Sequence, residues 1–283
     1  MSALTHPVRR RITAAVQYAF CVVVSLVVLI PLYVAVTGGL KSMGDLMTAP
    51  LALPNPPQWN QYLDLLTGKL GTFWRALANS ALIAAGTVAG ALAVCVMAAF
   101  ALARLRFRGR RVLQSYFMLG LLFPLAVAIL PLYLQIRTLG LIDTYWGVIL
   151  PQMAFQIPLV VLLLRGFFLS IPRDLEDACS IDGHGPLGFL WNMVVPLSTP
   201  ILATAGVLTL VASWNNFFLP LLVFNKETMF TLPMGVMNFQ GQHSSDWNMI
   251  LAFLTLAMVP AVALFIAAQR YIVAGLTGGA VKG

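Results

Sequence analysis

The chain has 283 residues, 60% of them hydrophobic and only 9% charged, with a mean hydropathy of +0.88. Soluble domains carry roughly a quarter charged residues, so water is not the main solvent of this chain. Seventeen Lys and Arg against nine Asp and Glu give +8, an excess that in a membrane protein is read by position before it is read as affinity for nucleic acid.

About 20 apolar helical residues cross the hydrocarbon of a bilayer. Uncharged intervals of that length run over 12–40, 76–103, 112–136, 144–164, 183–225 and 247–269. The first follows Arg9, Arg10 and Arg11, but at 29 residues it exceeds the roughly 7–15 of a cleavable signal core, so it reads as a retained span. After it, "APLALPNPPQWNQYLDLL" predicts an irregular piece followed by a short amphipathic helix from Trp59 to Leu66. Asn79 and Ser80 open the second span. The segment "RLRFRGRR" that closes it holds five arginines and reads as a topology signal attracted to anionic lipid, since no nucleic-acid reader motif accompanies it.

Pro124, Pro131, Pro158 and Pro260 fall within or at the ends of spans and predict kinks, because neighbouring helices can satisfy the freed carbonyls. Gln152 and Gln156 share one face of the fourth span at i,i+4. Next comes "LSIPRDLEDACSIDG", where Pro172 suits a helix start, Asp174, Glu176 and Asp177 favour its positive end, and Gly183 ends it. Leu175, Ala178, Cys179 and Asp182 trace a face of mostly small and apolar groups, so the helix is either a docking knob for another protein or an idle interfacial helix. The apolar stripe of "LGFLWNMVVPL" then lies at the membrane surface or packs beneath the bundle. Pro186, Pro196 and Pro200 restrict the fifth span to the later part of its interval.

The reading is a single all-α membrane domain over 1–283, with six transmembrane helices near 14–36, 76–103, 112–136, 145–168, 199–223 and 247–270. With the amino end inside, 12 of the 17 basic residues fall in inner segments, which follows the positive-inside rule. Both termini and the acidic helix are then cytoplasmic.

Polar residues inside spans are candidates for a solute route, because lipid disfavours them. These are Asn79, Ser80, Gln152, Gln156, Ser213, Asn215 and Asn216, with Trp214, Phe217 and Tyr133 offering apolar ring faces near them. The plainer alternative is that they join helices by hydrogen bonds. No acid or base lies deep in a span, which disfavours a proton-coupled carrier. The sequence has no GxxxxGK[ST] phosphate loop and no HExxH pair, and Cys21, Cys95 and Cys179 fall at no metal-ligand spacing. No catalytic residue and no metal site is expected.

Glu176, Asp177, Ala178 and Cys179, followed by Gly183 and "VVPL" at 194–197, resemble the EAA loop of permease subunits in binding-protein-dependent ABC importers. The pattern departs at Cys179, where alanine is usual, and at His184, where a small residue is usual. "NS" at 79–80, "LPLYLQIRTLGLIDTYWGVILP", "FFLSIPRDLEDA", "SWNNFFLPL" and the closing "QRYIVAGLTGGAVKG" extend the likeness to the carbohydrate-uptake branch, in particular the shorter permease of the maltose-importer type.

The resemblance implies a coupling loop at 171–197 between spans four and five. In it Glu176, Asp177, Ala178, Cys179, Asp182 and Gly183 seat against an ATPase, and the tail with Gly275, Gly278, Gly279 and Lys282 reaches toward the same partner. It implies a heterodimer with a second permease, two ATP-binding subunits, an extracytoplasmic solute-binding protein and a carbohydrate substrate, in the bacterial cell membrane. The chain itself would bind no cofactor, ATP and magnesium belonging to the ATPase. An ion-coupled secondary carrier and a non-transporting scaffold are the alternatives from other classes.

Overall fold

A computed structural model describes residues 6–69, 71–241 and 246–280, with side chains described from 13 to 267 and for Gln269 within those limits. The described residues are helical and contain no β-strand. The elements in chain order are α1 (His6–Gly38), α2 (Met43–Thr48), α3 (Asn60–Leu66), α4 (Phe73–Arg104), α5 (Arg110–Leu122), α6 (Leu125–Thr138), α7 (Trp146–Ser170) and α8 (Asp174–Ile181). They continue with α9 (Pro186–Phe189), a π-helical turn (Leu190–Val194), α10 (Val195–Leu197), α11 (Thr199–Trp214), α12 (Phe218–Val223), two 3₁₀ turns (Glu227–Met229, Gly235–Phe239) and α13 (Trp247–Ala280).

Four helices are long and apolar enough to cross a membrane: Thr13–Gly38, α4, α7 and Trp247–Ala267. Two bent pairs raise the number to six if each is one span. In the first pair, α5 and α6 meet at 103°, much sharper than a kink. Pro124 disfavours helical backbone at the residue before it, and Phe123 (ψ 113°) and Pro124 (ψ 128°) are both extended. Pro131, Pro151, Pro158 and Pro260 remain inside continuous helices. In the second pair, 186–197 meets α11 at 78°. Phe189, Leu190 and Val194 of that segment are buried in the core, so its apolar stripe packs beneath the bundle while Leu187, Trp191 and Leu197 stay exposed. The stretch expected as one span over 199–223 is interrupted at residues 215–217, between α11 and α12.

The chain divides into two compact units, one built from the chain up to Gly71 with Val236–Val259, the other from Thr72–Gly235 and the chain from Pro260 onward. In the first, the end of α1 is tied by side chains. Asn248 Nδ2 donates to the carbonyls of Gly38 (3.2 Å) and Lys41 (2.6 Å), and the Tyr62 hydroxyl donates to Val36 O at 3.0 Å. Burial holds the Tyr62 phenol above its ordinary pKa and keeps it a donor, against a smaller lowering by its bond to Thr255. Lys41, a basic residue just past the first span, is 1% exposed and donates through Nζ to the carbonyls of Ala49 (3.0 Å) and Pro50 (2.6 Å).

In the second unit α4 lies along α7 through small residues. A Cβ on Gly86 would stand 2.9 Å from Ile149 and one on Gly90 2.6 Å from Met153 Sδ, so the two backbones approach as small residues allow in lipid. Cys95, Ala99 and Leu102 of α4 meet Val161, Leu164 and Phe168 of α7 in a core that also takes in Cys179 and Ala205.

The tightest approach is at Gly147, where a Cβ would strike the Leu141 carbonyl oxygen and stand 2.9 Å from Val223 Cγ1; Gly166, on the same helix, faces open space. Gly147→Ala therefore lowers stability by about 1–3 kcal/mol, read as a reduced melting temperature in detergent. Gly166→Ala does not lower that temperature.

Candidate functional site: a clamped helix and a neutral polar cluster

Helix α8 leaves the end of α7 after an extended residue, Ile171 (ψ 128°), and carries three acids in its first turn. Its end is a Schellman turn: Gly183 N–H donates to Ser180 O (3.1 Å) and His184 N–H to Cys179 O (3.0 Å). Gly183 has φ +84°, a left-handed backbone that glycine adopts without strain. The eight-residue helix thus has a fixed length. Cys179 is 4% exposed and Leu175 packs beside it on the core, so these two form the inward face. Asp177, Ala178, Ile181, Asp182 and Gly183 point outward. The small face expected from the sequence is therefore split, and Cys179 is an anchor rather than part of a docking surface.

Glu176 does not stand free for a basic partner. Its Oε2 lies 3.4 Å from Arg104 Nη1, at the last residue of α4. The Arg104 side chain is 5% exposed, while that of Glu176 is 37% exposed. Arg104 Nη2 donates to the carbonyl of Phe168 (2.7 Å) and to that of Ile171. Its guanidinium sits 5.9 Å over the ring of Phe189. The last carbonyls of a helix have no partner within it, and a cation there matches the helix dipole. One buried guanidinium therefore joins α4, the end of α7, α8 and α9. In the sequence Arg104 reads as one of five topology arginines; its signal is its position four residues after the buried Phe100, on the same stripe of α4.

A second group of polar residues lies between α4, α7 and α11. Gln152 Oε1 accepts from Thr87 Oγ1 (3.2 Å) and from Ser213 Oγ, and all three residues are buried. Its Nε2 is buried with no hydrogen-bond partner among the described residues. A cavity of about 40 Å³ opens beside it, lined also by Phe155, Gln156 and Asn216. That volume admits water and is far below the roughly 300 Å³ or more of ligand pockets, so the cavity as it stands holds no larger solute. Asn216 also accepts from Leu219 N at 3.0 Å, which starts α12. Neither the exposed Asn215 nor the buried Trp214 is part of the cavity wall.

Asn79 and Ser80 have a different task. Asn79 Nδ2 donates to the carbonyls of Thr228 and Phe230 (both 3.0 Å), its Oδ1 accepts from Tyr145 Oη (2.8 Å), and Ser80 Oγ accepts from Leu232 N (2.8 Å). These bonds hold the segment 228–232 against the start of α4. Gly275, Gly278 and Gly279 lie in the final turns of α13, and Lys282 is outside the described residues.

The described residues thus form a helical bundle with four to six candidate membrane helices and a short helix seated against its core. Residues 91–278 match the family described as binding-protein-dependent transport system inner membrane component, more than half of the chain, and the protein belongs to that family. It is 37% identical over 233 residues to the trehalose transport system permease protein SugB of Mycobacterium tuberculosis, covering 82% of this chain and 84% of that one. It is 36% identical over 246 residues to the sulfoquinovosyl glycerol transport system permease protein SmoH of Agrobacterium fabrum, covering 86% and 85%. A chain in the crystal structure of a bacterial ABC transporter involved in the import of the acidic polysaccharide alginate shares the fold, with a TM-score of 0.81 at 23% identity, covering 96% of this chain and 99% of that one.

Two magnitudes rank the contacts of Arg104. A long ion pair open to solvent on its acid side contributes about 0–1 kcal/mol, whereas hydrogen bonds from a charged donor contribute about 1.5–3 kcal/mol each. Arg104→Gln is then strongly destabilising and opens the seat of α8, measured in a Cys21→Ser, Cys95→Ala background as faster maleimide labelling of the buried Cys179. Glu176→Gln changes that labelling little.

Proposed function

We propose that this permease passes a sugar or related polyol into the cell, driven by ATP hydrolysis in partner subunits. In this reading it pairs with a second, related permease, sits on two ATP-binding subunits that hold the nucleotide and magnesium, and receives solute from an extracytoplasmic binding protein. Both termini and α8 face the cytoplasm of a bacterial cell.

The observation that carries the reading is the clamp at Arg104. Work done by another protein on an exposed helix reaches a bundle only if the helix is stiff and firmly seated. Helix α8 is short, closed by Gly183, anchored through Cys179 and Leu175, and tied through Arg104 to α4 and α7. Its outward residues, Asp177, Ala178, Ile181 and Asp182, are then the surface offered to an ATPase. The tail beyond Gly275 is proposed to approach the same partner.

Carbohydrate as the substrate class is supported by two features. The relatives named above are permeases for trehalose and for sulfoquinovosyl glycerol. The polar cluster of Thr87, Gln152, Gln156, Ser213 and Asn216 is neutral, with donors and acceptors suited to hydroxyl groups and no fixed charge to select an ion. In an open state, Gln152 Nε2 is the donor without a competing partner and therefore the group first available to a solute hydroxyl. Phe155 lines the same cavity and offers an apolar wall.

The test is purification of the tagged chain from its own cells in mild detergent, followed by transport in proteoliposomes. The proposal expects an ATP-hydrolysing subunit to co-purify and uptake to require ATP. Uptake by the chain alone under an ion gradient contradicts it. Within that complex, Ala178→Trp on the outward face of α8 reduces solute-stimulated ATP hydrolysis by about tenfold, inside the roughly 5–150-fold range of coupled equilibria, while the melting temperature stays unchanged. Gln152→Leu instead lowers solute uptake and leaves basal ATP hydrolysis intact.

A further inference from the structure

The arginines that follow Arg104 have no role in the clamp. Arg106, Arg108, Arg110 and Arg111 crowd the turn from α4 to α5, and among the described residues no acid pairs with any of them. Arg110 makes a single long bond, to Ala103 O at 3.4 Å. Two of the four stand where the helix disfavours them. Arg110 and Arg111 form the first turn of the 13-residue α5, at the positive end of its dipole, and the N-cap Gly109 supplies no capping side chain. An anion in the turn relieves the repulsion and bonds to both guanidinium and free backbone N–H groups.

The turn also has a shape. A hollow of about 420 Å³ is lined by Arg106, Phe107, Gly109, Arg110, Arg111 and Val112, so a basic rim borders an apolar wall. From that wall Val112, Tyr116 and Leu119 continue along α5 at i, i+4 and i+7, exposed by 73%, 69% and 63%. A soluble phosphate has no use for such a stripe. A phosphodiester attached to acyl chains does.

We propose that the α4–α5 turn binds the headgroup of an anionic phospholipid, with an acyl chain along Val112, Tyr116 and Leu119. The inference rests on α5 being in the bilayer and not on the solute or on the sidedness of the chain. Because the turn begins two residues after Arg104, a bound lipid steadies the end of α4 that holds α8.

The experiment is native mass spectrometry of the chain purified with its partners and exposed to phosphatidylglycerol or phosphatidylcholine. Phosphatidylglycerol is retained preferentially. The triple variant Arg106→Gln, Arg110→Gln, Arg111→Gln loses that preference by about fivefold for each cation removed, and the triple lysine variant keeps most of it. Equal retention of the two lipids by the wild type overturns the proposal even if the glutamine variant fails to fold. So does undiminished phosphatidylglycerol on a folded glutamine variant. Displacement of the lipid by inorganic phosphate alone assigns the turn to a free anion and overturns the lipid.

Discussion

A helix that ends inside a membrane protein leaves carbonyl groups with no partner, and the end of α7 presents such groups at Phe168 and Ile171. Arg104 supplies the missing donors from another helix. The carbonyls are satisfied only while α4, α7 and the start of α8 keep their relative positions, because a guanidinium has a fixed planar fork and bonds direct it. Glu176 and Phe189 then add a weaker ion pair and a ring face. Removing Arg104 leaves buried carbonyls unpaired; removing Glu176 leaves a guanidinium that still has its carbonyls. That asymmetry makes the arginine, and not the acid of the EAA-like motif, the centre of the contacts that seat α8.

Away from that end, charge is avoided. The interior polar cluster between α4, α7 and α11 is built from hydroxyls and amides, which bury at lower cost than ions. Gln152 keeps open both readings weighed for such residues: its oxygen joins three helices, while its amide nitrogen has no hydrogen-bond partner among the described residues. Asn79 serves one, since both donors and the oxygen are engaged. Counting hydrogen-bond capacity thus separates residues that the sequence presents as equivalent.

The helices were legible because lipid demands long apolar runs, and α8 was legible from its acids and from Gly183. Geometry at breaks was less so. Pro124 is visible as a proline, but a kink and a bend of 103° have the same local signature and differ in how the freed backbone groups find partners. The inward face of α8 was misjudged because Leu175, Ala178, Cys179 and Asp182 share one sector of the helix, about 100° wide; only packing against the core decides that Cys179 is the buried one of the two small residues. Lys41 and Arg104 escaped for a common reason. Basic residues near span ends are read as topology, and burial against backbone carbonyls leaves no mark on composition.

The central claim is that α4 and α8 move as one body when a partner acts on α8. Spin labels at Met97→Cys on the exposed side of α4 and Ser180→Cys on the exposed side of α8, in a chain lacking Cys21 and assembled with its partners, report this directly. The distance between them is expected to agree within about 2 Å between nucleotide-free and ATP-trapped states, the scale of ordinary helix shifts. A change of about 5 Å, one helical turn, between those states contradicts the claim.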